Sequence, residues 1–279
     1  MNVAAAALPR LHAITDDRVI ARGDVLTRAD TLARTAGSAL AVHLRSRALP
    51  GGPLLKLARE LQDRLRPHGA WLVVNDRADV ARIVQAQALV SGRGGLGTGD
   101  ARKAAPHALV GRSVHDGAEV RAALAEGADF LIAGSVFATP SHPERSPAGV
   151  GIVREAAEGA APVIAIGGIT PDLTGEVIAA GAWGVAAIRA LWDAGDPAAA
   201  AHAFLAALPS GDTFGVVVNG EARRARRGIT LAGLLSDLSL DPRAVVVEHN
   251  RRIVRRDALA TTSVGEGDRV ELVHFVGGG

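Results

Sequence analysis

The residues of this chain best suited to chemistry are two histidines and a serine, each in or next to a strand-like run. His43 lies within Val42-His-Leu-Arg45, His115 follows Gly111-Arg-Ser-Val114, and Ser135 lies in a third run. Histidine exchanges a proton near neutral pH, so His43 and His115 are candidate acid–base groups, although His115 has an equal interpretation as a surface residue. The Ser135 hydroxyl needs an activating partner. We expect catalysis to use one of these three side chains.

A second set of residues has the character of an anion site. Arg45 alternates with His43 on one strand, so both side chains point the same way, and a basic pair enclosed by protein needs an anion. Gly167-Gly168-Ile-Thr170 precedes a helix that begins at Pro171, so its N–H groups could hold a phosphate, with a tight turn as the alternative. The predicted substrate- and phosphate-binding residues are Arg45, Asn75, Thr139, Gly167, Gly168, Ile188 and Arg189.

The elements that must position these residues are short strands that alternate with helical segments between Leu11 and Arg189. This alternation is typical of βα units on a parallel sheet, and about eight such strands close a barrel with its chemistry at the carboxyl ends of the strands. The predicted strands are Leu11–Thr15, Ala39–Arg45, Trp71–Asp76, Ala88–Val90, Ala108–Val114, Phe130–Phe137, Val163–Gly167 and Gly184–Ile188.

The remainder of the chain reads as a second, smaller domain. Turn residues at 209–212 follow a predicted helix over 197–208, and Asn219-Gly220 then separates two strand-like runs, a strong hairpin signal. One helix after Thr230 and further strands complete the pattern of a β-grasp module. The sequence therefore predicts an α/β class chain: a (β/α)8 TIM barrel over 1–208, a linker over 209–212, and an α+β β-grasp, ubiquitin-like domain over 213–279.

The glycine run Gly277-Gly-Gly279 follows the last strand-like segment. Glycine has no Cβ, so such a tail is thin enough to enter another enzyme's active site, where a terminal carboxylate can be adenylated and converted to a thiocarboxylate. We expect Gly278 and Gly279 to form this sulfur-carrying end, without proteolytic maturation. A functionless, frayed terminus is the alternative interpretation.

Composition excludes several classes of protein. The formal charge is only +2, with 31 Lys and Arg against 29 Asp and Glu, and the arginine pairs alternate with acids, which argues against nucleic-acid binding. The absence of cysteine excludes disulfides and cysteine-based metal sites. No run of ~18 apolar residues predicts a membrane span. We expect a cytoplasmic protein, and a homo-oligomer is one option that the sequence leaves open.

Two families resemble the two parts of the chain. Residues 11 to about 208 resemble the barrel superfamily of the thiazole tautomerase TenI and thiamine-phosphate synthase, and residues 213–279 resemble the sulfur carrier ThiS, including its Val-His-Phe and Gly-Gly ending. The matching barrel segments are Leu11-His-Ala-Ile-Thr-Asp-Asp17, Val42-His-Leu-Arg45, Val74-Asn75, Gly111-Arg-Ser-Val-His115, Gly134-Ser-Val-Phe-Ala-Thr139 and Val163-Ile-Ala-Ile-Gly-Gly-Ile-Thr-Pro-Asp172. Both resemblances imply a role in making the thiazole half of thiamine.

The resemblance leaves the barrel's reaction open between a tautomerase and a synthase. Synthases join a pyrimidine diphosphate to a thiazole phosphate and use Mg²⁺. This chain has His43 in place of their Gln, Gly95 in place of a second metal-binding Asp, and Thr139-Pro-Ser-His142, which lacks the usual Lys, in place of a Thr/Lys pattern. These departures favour the tautomerase, which aromatises a carboxythiazole phosphate without a metal or other cofactor. Ser135, however, replaces the histidine that serves as acid/base in tautomerases.

The expected function is therefore bifunctional, with two alternatives. The main expectation is a tautomerase-like isomerase that needs no metal, fused to a carrier that delivers sulfur to thiazole synthase after activation by an ATP-dependent adenylating enzyme. The first alternative is a synthase, a transferase, which would require Mg²⁺. The second is a non-catalytic scaffold that docks pathway enzymes.

Overall fold

The computed structural model describes residues 8–139, 147–209, 213–226, 229–238 and 240–274. The chain divides into two compact units, Met1–Leu208 and Pro209–Gly279. Most of the residues proposed as a linker, 210–212, lie outside the described part of the chain. Among the described helices, none is both long and apolar enough to cross a membrane.

The first unit is a closed parallel barrel of eight strands. The strands are β1 (Leu11–Ile14), β2 (Leu40–Leu44), β3 (Trp71–Asn75), β4 (Ala88–Ser91), β5 (Leu109–Val114), β6 (Phe130–Ala133), β7 (Val163–Ile166) and β8 (Gly184–Ala187). They pair in chain order, and β8 closes on β1. The predicted TIM barrel is thus confirmed, with each predicted strand present.

Several predicted strands are one residue too long at an end, and the largest error is in β6, which ends at Ala133 and not at Phe137. Gly134 comes so close to the Ile166 carbonyl that a Cβ would overlap it. The chain therefore leaves the regular ladder there, although the Val136 and Phe137 N–H groups still donate to the carbonyls of Ile166 and Gly167 at 2.8 and 2.9 Å.

Helices surround the barrel, and several begin at a capping aspartate. They are α1 (Asp17–Ala21), α2 (Val25–Ala36), α3 (Gly51–Leu65), α4 (Ala78–Val84), α5 (Thr98–Ala104), α6 (Gly117–Ala125), α7 (Gly151–Ala157), α8 (Pro171–Ala179), α9 (Arg189–Trp192) and α10 (Pro197–Ala207). Asp16 accepts from the Val19 N–H and Asp116 from the Glu119 N–H, which satisfies donors that the first helical turn leaves unpaired.

Side chains alternate across β2, and this alternation positions the site. Val42 and Leu44 belong to the apolar layer between the strands and the helices, whereas Ala41 belongs to the cluster inside the barrel. His43 and Arg45 share the inward parity of Ala41, as the period of two requires.

The described residues of the second unit form a five-stranded mixed sheet with one α-helix. Its elements are β9 (Thr213–Val218), β10 (Glu221–Arg226), α11 (Leu231–Asp237), β11 (Val245–His249), β12 (Arg252–Val254) and β13 (Arg269–His274), and the strand order is β10-β9-β13-β11-β12. Asn219 and Gly220, with φ of 51° and 79°, form the predicted hairpin turn. The short edge strand β12 was not predicted, and residues 275–279, including Gly278 and Gly279, lie outside the described part.

Candidate active site

A cavity of about 350 Å³ lies at the carboxyl ends of the barrel strands. Its walls include every barrel residue predicted for catalysis or binding: His43, Arg45, Asn75, His115, Ser135, Thr139, Gly167, Gly168, Ile188 and Arg189. Ile14, Ile132 and Ile166 contribute apolar walls that were not predicted from the sequence. They could have been found from the alternation along each strand, which turns these side chains toward the barrel interior. They offer a surface on which a flat ring could pack.

Two arginines supply positive charge to this cavity. Arg45 and Arg189 are both partly buried, and neither forms an ion pair with another described residue. Burial lowers the pKa of the Arg45 guanidinium, and the neighbouring Arg47 charge lowers it further, against the opposing effect of Asp76 and other carboxylates. Guanidinium groups bind carboxylate and phosphate oxygens bidentately, so the cavity suits a ligand with more than one anionic group.

The loop after β7 lies closely against the loop after β6. Gly167 and Gly168 adopt φ of 105° and 65°, and a Cβ on Gly167 would overlap the Ser135 hydroxyl. Glycine is required at both positions by conformation and by this close approach. The loop leads into α8, where Pro171 occupies the first turn, so backbone N–H groups at this end are placed to bind a phosphate.

His43 is completely buried, and both of its ring nitrogens are engaged. Nε2 lies 2.7 Å from His12 Nδ1, and Nδ1 lies 3.2 Å from Asn75 Oδ1. Burial and the adjacent His12 hold the pKa of His43 well below its ordinary value. This geometry favours a positioning role for His43 over proton transfer to a ligand. The sequence reasoning missed His12, whose only signal was its inward parity with Ile14 on β1.

His115 has the geometry of an oriented acid–base group. Its Nδ1 lies 2.8 Å from Glu119 Oε2, and the same carboxylate also pairs with Arg93. Burial opposes ionisation of Glu119, but hydrogen bonds from His115 and Arg93 outweigh it and lower the pKa of that carboxyl. When Nδ1 donates to Glu119, Nε2 carries the lone pair, and Nε2 has no hydrogen-bond partner among the described residues.

Ser135 does not have the partner that an acid–base role requires. Its hydroxyl donates to the Phe137 carbonyl at 3.0 Å, a contact within its own loop. The oxygen can still accept a hydrogen bond from a ligand. Thr139 lies on the same wall, and Ser141 and His142, which follow it, lie outside the described residues.

Asp76 is the carboxylate that bears on Mg²⁺ binding. It follows β3 with a φ of 60°, and its Oδ1 accepts the Gly92 N–H at 2.8 Å. A Cβ on Gly95 would lie 3.1 Å from this oxygen, so a second carboxylate at position 95 would have stood beside Asp76. In the described part of the chain, no group of three or more His, Cys, Asp or Glu could hold a metal. One carboxylate fits Mg²⁺ only together with phosphate oxygens of a ligand and water.

Comparison with protein families gives one match for each unit. A family model described as thiamine monophosphate synthase matches residues 11–191, and the ThiS family matches residues 216–279. Both families were expected from the sequence motifs, and both are confirmed.

Individual relatives agree with the first match. A "Thiamine-phosphate synthase" of Mycobacterium sp. (strain KMS) is 41% identical over 212 residues, which cover 72% of this chain and 92% of the relative. The "Thiamine biosynthesis bifunctional protein ThiM/ThiE" of Symbiobacterium thermophilum is 43% identical over 167 residues, 59% of this chain but only 35% of that longer protein. The solved structure of a thiamine phosphate pyrophosphorylase from Pyrococcus furiosus has a TM-score of 0.64 at 28% identity and covers 74% of this chain and 97% of its own. These names favour the synthase alternative and do not support the tautomerase expectation.

Proposed function

We propose that this chain, a member of the thiamine monophosphate synthase family with a ThiS-family domain, combines a thiamine-phosphate synthase barrel with a sulfur carrier. The main support for a synthase activity of the barrel is that two partly buried arginines, Arg45 and Arg189, lie in one cavity with apolar walls. A thiazole phosphate and a pyrimidine diphosphate together present flat rings and several anionic oxygens. The cavity offers a complement to each of these features.

The reaction is a substitution with no oxidation or reduction. The bond between the pyrimidine methylene carbon and the diphosphate oxygen breaks, and its electron pair leaves with the diphosphate. The thiazole nitrogen lone pair forms the new carbon–nitrogen bond, so the ring becomes cationic. Arg45 and Arg189 stabilise the negative charge on the departing diphosphate, while the N–H groups after Gly167 hold the thiazole phosphate. Asp76 is the residue that would hold a Mg²⁺ ion, and a bound ion would supply further positive charge for the leaving diphosphate.

A second candidate function, the tautomerase, is favoured by the His115–Glu119 pair. A base that is oriented by a carboxylate and open toward the cavity is what proton transfer on a thiazole ring needs, whereas the substitution above needs no general base. Gly95 also favours the tautomerase, because a glycine at this position leaves Asp76 without a neighbouring carboxylate. In this candidate function, His115 moves the proton and Arg45 holds the substrate carboxylate.

One preparation distinguishes the two reactions. The full chain is incubated with thiazole phosphate and pyrimidine diphosphate, with Mg²⁺ or with a chelator, and separately with the non-aromatic carboxythiazole tautomer. The proposal predicts Mg²⁺-dependent formation of thiamine phosphate. Aromatisation of the tautomer without thiamine phosphate, lost in Glu119→Gln and retained in Asp100→Asn on the exposed surface of α5, would establish the tautomerase in its place. Absence of both reactions would leave the barrel as a docking scaffold.

For the second unit, we propose that Gly279 carries sulfur as a thiocarboxylate. The ThiS-family match extends through Gly278 and Gly279, and membership of this family implies sulfur-transfer partners. The partners proposed are an ATP-dependent adenylating enzyme, which activates the glycine carboxylate, and thiazole synthase, which receives the sulfur. Intact-protein mass spectrometry after treatment with the adenylating enzyme, ATP and a sulfur donor should show one oxygen replaced by sulfur. A variant without Gly278 and Gly279 should show no change, and sulfur incorporation in that variant would refute the assignment.

A further inference from the structure

A chain of three hydrogen bonds runs inside the barrel from the start of β1 to the cavity. His12 Nε2 lies 2.9 Å from the Pro9 carbonyl oxygen, His12 Nδ1 lies 2.7 Å from His43 Nε2, and His43 Nδ1 lies 3.2 Å from Asn75 Oδ1. Both imidazoles have no solvent exposure, whereas Asn75 lies on the cavity wall. Among the described residues, the two histidines are therefore hydrogen-bonded toward the ligand site only through the Asn75 amide.

The Pro9 carbonyl determines which atom donates and which accepts in each of the three hydrogen bonds. The Pro9 carbonyl can only accept, so His12 must donate from Nε2. A neutral His12 then accepts at Nδ1, which requires His43 to donate from Nε2. A neutral His43 in turn accepts at Nδ1, so the Asn75 group that faces it must be a donor.

An Asn75 carbonyl facing His43 would require an additional proton. Three bonds between two accepting ends need three protons, and two neutral imidazoles supply two. A shared imidazolium would have to be stabilised inside the barrel, where the two rings lie against each other and His12 lies near Phe130. No carboxylate bonds to either ring among the described residues. Burial also lowers the pKa of both histidines, that of His12 to about 4. The third proton must therefore come from the Asn75 NH₂ group, and the amide is turned end for end.

We propose that His12 and His43 form a positioning relay that holds the Asn75 amide with its NH₂ group toward His43 and its carbonyl oxygen toward the ligand. Asn75 then acts as a hydrogen-bond acceptor that selects a ring substituent bearing an N–H donor. This assignment of ligand chemistry rests on the proposed function, since it concerns which ring the cavity accepts. The relay itself is a property of the free protein.

The relay is tested first without any ligand. The full chain is labelled with ¹⁵N-histidine, and two-bond ¹H–¹⁵N correlations are recorded at pH 7, with His12→Gln and His43→Gln spectra to assign the two rings. The proposal predicts that both rings carry a proton on Nε2 and none on Nδ1. An imidazolium in either ring, or a proton on His43 Nδ1, would overturn it. The ring of His107, which is exposed, provides an internal reference outside the barrel interior.

The consequence for the ligand is tested with His12→Phe, which removes the acceptor for His43 Nε2 but keeps a buried aromatic ring. His43 is then free to protonate Nδ1, and Asn75 turns its carbonyl inward. We expect affinity for the pyrimidine diphosphate to fall about tenfold, as for loss of one hydrogen bond, while affinity for the thiazole phosphate and the circular dichroism spectrum stay unchanged. His12→Leu, which also removes the acceptor, serves if His12→Phe does not fold. His12→Gln should keep the native affinity, because its amide can both donate to the Pro9 carbonyl and accept from His43.

These results separate the relay from the proposed function. The predicted tautomers in a protein that forms no thiamine phosphate would uphold the relay and refute the synthase. Equal affinity of the variant without the acceptor and of the native chain for pyrimidine diphosphate, in an active synthase, would refute the relay's role in selection.

Discussion

Arg45 and Arg47 illustrate how two residues of one type, two positions apart, can differ in role. Arg45 is partly buried on the cavity wall, whereas Arg47 is exposed and its backbone N–H is held by Asp17. The sequence predicted the anion-binding role of Arg45 from its alternation with His43. It could not predict that His43 is hydrogen-bonded to His12, because that contact depends on the parallel register in which Ile14 lies beside His43. The orientation of His115 by Glu119 was also hidden in the sequence.

At this scale we predict that Arg45→Ala weakens binding of the pyrimidine diphosphate by about 10- to 100-fold, because a charge-assisted hydrogen bond contributes about 1.5–3 kcal/mol. Isothermal titration calorimetry on the full chain measures the change. Arg47→Ala is the matched control and should bind within about twofold of the native chain. Equal losses of affinity in the two variants would mean that Arg45 contributes only its long-range positive charge and no direct contact with the ligand.

At the scale of elements, the sequence predicted the barrel strands and the hairpin well because their signals are local. Apolar runs bounded by turns, and Asn219-Gly220 between two strands, need no tertiary information. The end of β6 was misplaced because it is set by the approach of Gly134 to a neighbouring strand. The edge strand β12 was missed because its arginine-rich sequence resembles a turn, and its pairing to β11 is what makes it a strand.

The glycines of the barrel give a prediction about packing. A Cβ on Gly184 in β8 would overlap the backbone carbonyl of Arg10, whereas Gly175 in α8 has open space around it. We expect Gly184→Ala to lower the free energy of unfolding of the barrel by about 1–3 kcal/mol through overpacking. Gly175→Ala should raise it by about 0.5–1 kcal/mol, because alanine loses less backbone entropy in a helix. Urea unfolding followed by tryptophan fluorescence reports on the barrel alone, since Trp71, Trp183 and Trp192 all belong to it. Equal stability of the Gly184→Ala variant would contradict this packing.

At the scale of the whole molecule, the buried histidines make stability depend on pH. The pKa of His12 falls from 6.5 to about 4 on folding, first because of burial and despite its bond to Pro9. The unfolded chain therefore binds a proton below pH 6.5 that the folded chain does not bind until about pH 4. This contribution to stability is complete above pH 6.5 and is lost as the pH falls through that window.

We therefore predict that the free energy of unfolding of the barrel decreases by about 3 kcal/mol between pH 6.5 and pH 4 from His12 alone, with a further decrease from His43. Urea titrations across this range measure it. His12→Gln should flatten the dependence, and His107→Gln, at an exposed position, should leave it unchanged. A native chain whose stability is independent of pH over this window would show that the histidines are not held neutral.

The fusion of the two units also belongs to this scale, since it joins a barrel of the thiamine monophosphate synthase family and a ThiS-family domain in one polypeptide. The most direct test of the central claim is the steady-state rate at which the full chain forms thiamine phosphate from thiazole phosphate and pyrimidine diphosphate in the presence of Mg²⁺. We expect turnover by the native chain and by Arg47→Ala, with at least about a tenfold loss of kcat/KM in Arg45→Ala. No thiamine phosphate from a folded native chain that binds both substrates would contradict it.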